Sequence, residues 1–233
     1  MIEHSVTSNL DLAWGAAAAF LFDFDGVLAD SEPLFRRSWN IALQPWGHEV
    51  SSEDYWKYWS SLGEGLKGEI RRFGLKGIDI PLARKRQKEV YEDFVNDGIV
   101  PLFPLAARLL EMLSVKQSAS WRPFCIASNT PCALIRKILI KGGAPVPLIV
   151  GGDGLEKKPA PDIFLRASSL LDVRPSSTLV FEDSWKGIAA AQRGGFKSVL
   201  VLNDYNSRLD IRSEFVINGI QPILDLLSEG SIQ

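Results

Sequence analysis

An α/β fold is expected for this 233-residue chain, with a parallel sheet between two layers of helices and a block of helices inserted into it. Three observations lead there. Short apolar runs alternate with amphipathic stretches over residues 16–30 and 102–233, and strands alternating with helices imply a parallel sheet covered on both faces. Residues 31–101 read as helical throughout. Polar residues follow directly after three of the strand candidates, at the end where open parallel sheets bind ligands.

Residues 1 to about 15 read as a loosely held tail. The strand candidates follow in order as "AAFLF", "PFCIA", "PLIVG", "TLVF", "SVLVL" and "EFVI". Strands buried on both faces read as continuous apolar runs of this kind. Between them, Leu105, Leu109, Met112 and Leu113 recur at helical spacing, as do Leu134, Ile135, Ile138 and Leu139. Thr130 before Pro131 marks a helix start, with a capping hydroxyl and a proline in the first turn. Gly194 and Gly195 end the helix that Ser184 opens.

The inserted segment, 31–101, lies between the first and second strands and is expected to form a cap over a core of 16–30 and 102–233. Phe35, Trp39, Ala42 and Leu43 share one helical face. Tyr55, Trp56 and Trp59 share another, behind a start at Ser51 and Ser52. Residues 82–97 make a longer helix with Val90, Tyr91 and Phe94 inward. Seven of the eleven Trp and Tyr residues fall in this segment, where helical spacing favours core packing over ligand stacking. Hinges are expected near Ala29–Pro33 and Val100–Pro104.

A net charge of −2 creates no field that would draw nucleic acid or an anionic membrane. The basic cluster Arg84, Lys85, Arg86 and Lys88 reads as a solvated helix face. No apolar run reaches the roughly 18 residues needed to span a bilayer. "WGAAAAFLF" lacks the basic flank of a signal peptide. Cys125 and Cys132 show neither metal-ligand nor disulfide spacing, so a reducing cytoplasm is expected. A monomer is compatible with the sequence, which does not encode an oligomeric state.

"FLF" is followed by Asp23, Phe24, Asp25 and Gly26; "FCIA" by Ser128, Asn129 and Thr130; "TLVF" by Glu182, Asp183 and Ser184. If these strands are neighbours, four carboxylates meet in one crevice. Two like charges at 4 Å repel by about 4 kcal/mol even at an effective dielectric of about 20, so a cation belongs among them. Carboxylate and carbonyl oxygens suit magnesium, which accepts substrate phosphate as well. Lys158 in "EKKPAPDIF" is a further cation, with Lys157 its competitor and Asp162 at the start of the next helix. His48 has no partner visible in the sequence.

"DFDGVLADSE", "ASNT", "KKPAPDIF" and "FEDSWKG" resemble, in order and type, the four motifs of the haloacid dehalogenase superfamily. The resemblance covers about residues 18 to 202 and implies a Rossmann-like three-layer core with an inserted helical cap. It implies that Asp23 is a nucleophile forming an aspartyl-phosphate. Asp25 is then the acid and base for the leaving oxygen and for water. Magnesium would be held by Asp23, the Asp25 backbone carbonyl, Asp183 and Glu182. Ser128, Asn129 and Lys158 would bind phosphate, with Gly26 at the turn.

Within that superfamily, an acid at Asp25 suits an alcohol leaving group and therefore phosphate monoesters. The expected activity is a Mg2+-dependent phosphatase for a small phosphorylated metabolite, with sugar phosphates as the default. The alternative is a mutase like β-phosphoglucomutase. Its pattern has an arginine three residues after a glycine, where this chain has Leu66 after Gly63, with Lys67 one step off. A non-catalytic phosphate binder would not need Asp25. Cap candidates for substrate contact are Glu32, Phe35, Arg36, Trp59, Leu62, Glu64, Leu66 and Lys67.

Overall fold

The computed structural model describes residues 3–118 and 121–229. The described strands are β1 (Ala19–Phe22), β2 (Phe124–Ala127), β3 (Ile149–Val150), β4 (Thr178–Glu182), β5 (Lys197–Leu202) and β6 (Phe215–Asn218). They form one parallel sheet in the order β3-β2-β1-β4-β5-β6. Every strand candidate falls on one of them. Phe22 pairs with Ile126 on one side and Phe181 on the other, so the residues following β1, β2 and β4 emerge side by side.

The segment expected as a loose tail is a helix, α1 (Glu3–Ala16). Leu10, Ala13, Trp14 and Ala17 are buried and recur at the spacing of an apolar helical stripe. Trp14 stacks on Phe20 of β1, ring centroids 4.2 Å apart. Arg122 donates to the carbonyls of Trp14 and Ala17, satisfying the end of the helix.

Between β1 and β2 come α2 (Glu32–Leu43), α3 (Ser52–Asp54) running into a π-helix (Tyr55–Ser61), α4 (Gly65–Phe73) and α5 (Ile80–Asn96). Ser51 caps α3 by accepting from the Asp54 N–H, and Asp79 caps α5 in the same way from Leu82. Helix α4 falls in the stretch read as helical, although the sequence reading gave it no bounds. Leu43, Val50, Tyr55, Trp59, Leu66 and Ala83 form an apolar cluster among these helices. Tyr91, Phe94 and Val95 of α5 instead join the larger cluster that reaches the sheet. The linkers expected as hinges hydrogen-bond to each other: Asp30 N–H to the Pro101 carbonyl, 3.0 Å, and Phe103 N–H to the Leu28 carbonyl, 2.9 Å. His48 has a partner after all, its Nε2 lying 2.9 Å from Oε1 of the buried Glu69, a contact across 21 positions that sequence spacing does not reveal.

Alternate strand residues point to opposite faces. Phe20, Phe22, Phe124, Ile126 and Phe181 meet Leu109 and Leu113 of α6 (Ala106–Ser118), Ile135 and Ile138 of α7 (Cys132–Lys141) and Ile223 of α10 (Gln221–Glu229). Leu21, Cys125, Ala127 and Val180 meet Ile163, Phe164 and Ala167 of α8 (Asp162–Leu170) and Ala190 of α9 (Trp185–Arg193). These three layers are the expected α/β core, and burial of each large side chain contributes about 1.5–3 kcal/mol. Leu105 is not on the α6 face. It precedes the helix at φ 74° and is exposed.

Candidate active site

The β1 ladder runs one residue past the strand, with the Asp23 N–H donating to the Phe181 carbonyl at 2.9 Å. The chain then turns at Gly26, where φ is +80°. A Cβ here would lie 1.9 Å from Asp183 Oδ2, so glycine admits both the turn and the close carboxylate. Lys158 is buried against this turn. Its Nζ donates to the Ala127 carbonyl at 2.9 Å and to Glu182 Oε1 at 2.8 Å, and stands 2.9 Å from Asp23 Oδ1.

Asp25 is held by three hydroxyls. Ser31 Oγ donates to Oδ1 at 2.5 Å, while Thr130 Oγ1 and Ser128 Oγ donate to Oδ2 at 2.6 and 3.1 Å. A hydroxyl both donates and accepts, so these partners can follow Asp25 in either protonation state. Thr130 therefore does not cap α7 as expected. Its hydroxyl is taken by Asp25, and the Asp153 carboxylate accepts from the first helical N–H, that of Cys132, at 2.9 Å. Ser128 and Asn129 both line the crevice. The Asn129 Oδ1 accepts from the Lys158 N–H at 2.9 Å, ordering the Lys158 loop. Asp162 begins α8.

The Glu182 carboxylate is fully engaged: Oε1 by Lys158, and Oε2 by the N–H groups of Asp183 and Ser184 and the Ser184 hydroxyl, each at 2.9 Å. Burial disfavours its charge, but Lys158 and these donors outweigh burial and hold its carboxyl below the ordinary value. Burial opposes the charge of Lys158 too, and its two carboxylates again outweigh it. Asp23 is different. Burial, followed by the Glu182 charge, pushes its carboxyl up to about 8 despite Lys158. Asp183 is pushed well above its ordinary value by burial, Glu182 and Asp23. Its chain neighbour Ser184 caps α9, accepting from the Gly187 N–H.

Oxygens of Asp23, Glu182 and Asp183 all lie within 4.8 Å of one another. The buried Asp23 Oδ1 receives no directed hydrogen bond, only the nearby charge of Lys158. With all three ionised, one lysine would leave negative charge unbalanced, which is why burial and mutual repulsion push Asp23 and Asp183 up. An oxygen-only donor set of this kind fits a hard divalent cation.

These groups open on a cavity of about 690 Å³. Its opposite wall comes from the inserted helices and includes Glu32, Phe35, Trp59 and Leu66, as expected. Arg36 turns away to the Val50 carbonyl, and Glu64 pairs with Arg72. Leu62 and Lys67 are exposed outside the cavity. Arg84 and Lys88 do line it, so the basic stretch of α5 is not wholly a solvated face. Glu32 accepts from Tyr55 Oη at 2.5 Å and Ser60 Oγ at 3.0 Å, and burial pushes its carboxyl up.

Sequence reasoning missed Asn203. It follows β5 directly, so the rule applied to the other strands, asking what comes after each one, would have found it. Its Nδ2 donates to the Gly26 carbonyl at 3.0 Å and to Asp183 Oδ2 at 3.3 Å.

A family model described as haloacid dehalogenase-like hydrolase matches residues 17–195. Protein CbbY of Rhodobacter capsulatus is 31% identical over 199 residues, spanning 80% of this chain and 86% of that protein. Fructose-1-phosphate phosphatase YqaB of Escherichia coli is 26% identical over 185 residues, spanning 78% and 95%. Beta-phosphoglucomutase of Mycobacterium bovis is 28% identical over 217 residues, spanning 79% and 80%.

Proposed function

Because the chain belongs to the haloacid dehalogenase-like hydrolase family, we propose that it is a Mg2+-dependent phosphatase acting on a small phosphorylated sugar through an aspartyl-phosphate on Asp23. The observation that carries this reading is the meeting of Asp23, Asp25, Lys158 and Asp183 beside one another on one cavity wall. Relatives that act on sugar phosphates support the substrate class.

In this mechanism a carboxylate oxygen of Asp23 attacks phosphorus and the ester P–O bond breaks. Asp25 gives its proton to the leaving oxygen. Asp25 then takes a proton from water, the water oxygen attacks phosphorus, and the bond to Asp23 breaks to release inorganic phosphate. Lys158 and Ser128 face the phosphoryl oxygens, and Asn129 holds the Lys158 loop in place. Asp23, Asp183 and the Asp25 carbonyl would hold the cation, with Glu182 anchoring Lys158 beside them. Bound there, Mg2+ would neutralise the meeting of carboxylate and phosphate. Each proton transfer is worth about 10²–10⁴-fold in rate.

The mutase pattern has an arginine where this chain has Leu66. Leu66 is apolar and buried on the cavity wall, which favours the phosphatase. The test is phosphate release from phosphorylated sugars, hydroxy acids and nucleosides with Mg2+, using Asp23→Asn as the blank. Release concentrated on sugar phosphates supports the reading. Interconversion of sugar phosphate isomers without release overturns it in favour of the mutase.

A further inference from the structure

Resting on the metal-dependent reading above, we infer that Asn203 is a positioning residue that fixes the metal-facing carboxylate of Asp183 against the Asp23–Gly26 turn. The Asn203 amide is held on both sides. Its Oδ1 accepts from the N–H groups of Tyr205 and Asn206 at 2.9 and 3.0 Å. Its Nδ2 donates to the Gly26 carbonyl and to Asp183 Oδ2. A flipped amide would set its NH2 against two N–H donors, so the orientation is fixed by its neighbours.

Asn206 completes the bracket. This buried residue accepts from the Asn203 N–H at 2.9 Å and donates to the carbonyls of Asp183 and Val201 at 2.8 and 2.9 Å. One amide thus holds the Asp183 backbone while the other holds its carboxylate. The Asp183 carboxylate already lies against Gly26, with no room there for a Cβ. Asn203 bonds to both, so it sets the spacing between the turn that carries Asp23 and Asp25 and the carboxylate that faces it. It is a neutral donor, so it aims Asp183 without competing with a cation for charge. Partners of this kind behind a metal ligand typically carry about 10–100-fold in metal affinity.

The test is Mg2+ titration of the substrate-free protein by calorimetry, comparing wild type with Asn203→Ala and Asn203→Ser. The serine hydroxyl can still accept from the local N–H groups, so the turn is kept, but it is too short to reach Gly26 or Asp183. Both variants are expected to bind Mg2+ roughly 10–100-fold more weakly, with kcat at saturating Mg2+ within a few-fold of wild type. Variants that melt earlier yet bind Mg2+ as tightly as wild type would show Asn203 to be merely structural and overturn the inference. Wild-type protein that releases phosphate but binds no Mg2+ would instead overturn the metal reading beneath it.

Discussion

The ammonium nitrogen of Lys158 stands 2.8 Å from Glu182 Oε1, and neither side chain is more than 1% exposed. The same nitrogen is 2.9 Å from Asp23, so one buried cation serves two buried carboxylates. Removing it leaves the Glu182 charge uncompensated, and breaking a buried pair in this way costs about 3–5 kcal/mol. Lys158→Met should lower the urea midpoint accordingly without changing the slope. Adding Glu182→Gln to it should recover part of that loss. If Lys158→Met melts like wild type, the pair is not a structural centre of the site.

Gly26→Ala tests the packing of turn against carboxylate. The new Cβ would need the space of Asp183 Oδ2, 1.9 Å away, at a φ of +80°. A left-handed conformation alone costs a side-chain residue about 1–2 kcal/mol. The variant should fold with reduced stability and lose the Mg2+-dependent rise in melting temperature. A rise equal to that of wild type would mean that Asp183 can move aside without harm to metal binding.

The raised carboxyl of Asp23 makes a pH prediction. Its value in the folded, metal-free chain is about 8 against an ordinary 3.8, through burial and then Glu182. The folded chain therefore holds this proton where the unfolded chain has lost it. Without metal, stability should fall as pH rises between about 4 and 8. A cation must displace the protons that burial holds on Asp23 and Asp183, so Mg2+ affinity should weaken by at least about tenfold per pH unit below 8. Calorimetry at pH 7 in buffers of different ionisation enthalpy should register proton release on binding, and its absence would contradict the assignment.

Thr130→Val isolates the support of Asp25. Valine matches threonine in shape but removes the 2.6 Å hydroxyl donor. A hydrogen bond to a charged group is worth about 1.5–3 kcal/mol, so kcat should fall at least about tenfold with KM little changed. Asp25→Asn should cost more, about 10²–10⁴-fold, while ligand binding persists. Equal turnover in Asp25→Asn would take the acid and base role away from Asp25.

Asp23, Asp25 and Ser128 were legible because each lies within a few residues of a strand end, and parallel topology brings strand ends together; Lys158 stood out as a cation in a proline-rich turn. Their partnerships were not legible. Thr130 looked like a cap because its neighbour is a proline, and only the pairing of β1 with β2 reveals that it bonds Asp25, 105 positions away. Asn203 reaches Gly26 across 177 positions. The N-terminal helix was missed for a different reason. Its apolar stripe at Leu10, Ala13, Trp14 and Ala17 is short, and its burial depends on Phe20 of β1 and Arg122 just ahead of β2. Arg84 and Lys88 share a charged run with exposed neighbours, and periodicity alone cannot say which of them the cavity admits.

The inserted helices are tied to the α/β layer next to the Asp183 carboxylate. Trp56 of the π-helix stacks on Tyr205, ring centroids 3.9 Å apart and planes 12° from parallel. Tyr205 lies between Asn203 and Asn206, the two amides that hold Asp183. The stack therefore joins the inserted helices to the loop that holds Asp183. Such a pair is worth about 0.5–1.5 kcal/mol, so Trp56→Ala should shift the cap toward open forms by a few-fold. Apparent substrate affinity falls by the same factor when only the closed form binds, so KM should rise a few-fold. Limited proteolysis of the 44–64 segment should quicken, and Mg2+ with a phosphate analogue should restore its protection only in part. Wild-type KM together with wild-type proteolysis in Trp56→Ala would show that the stack does not govern closure.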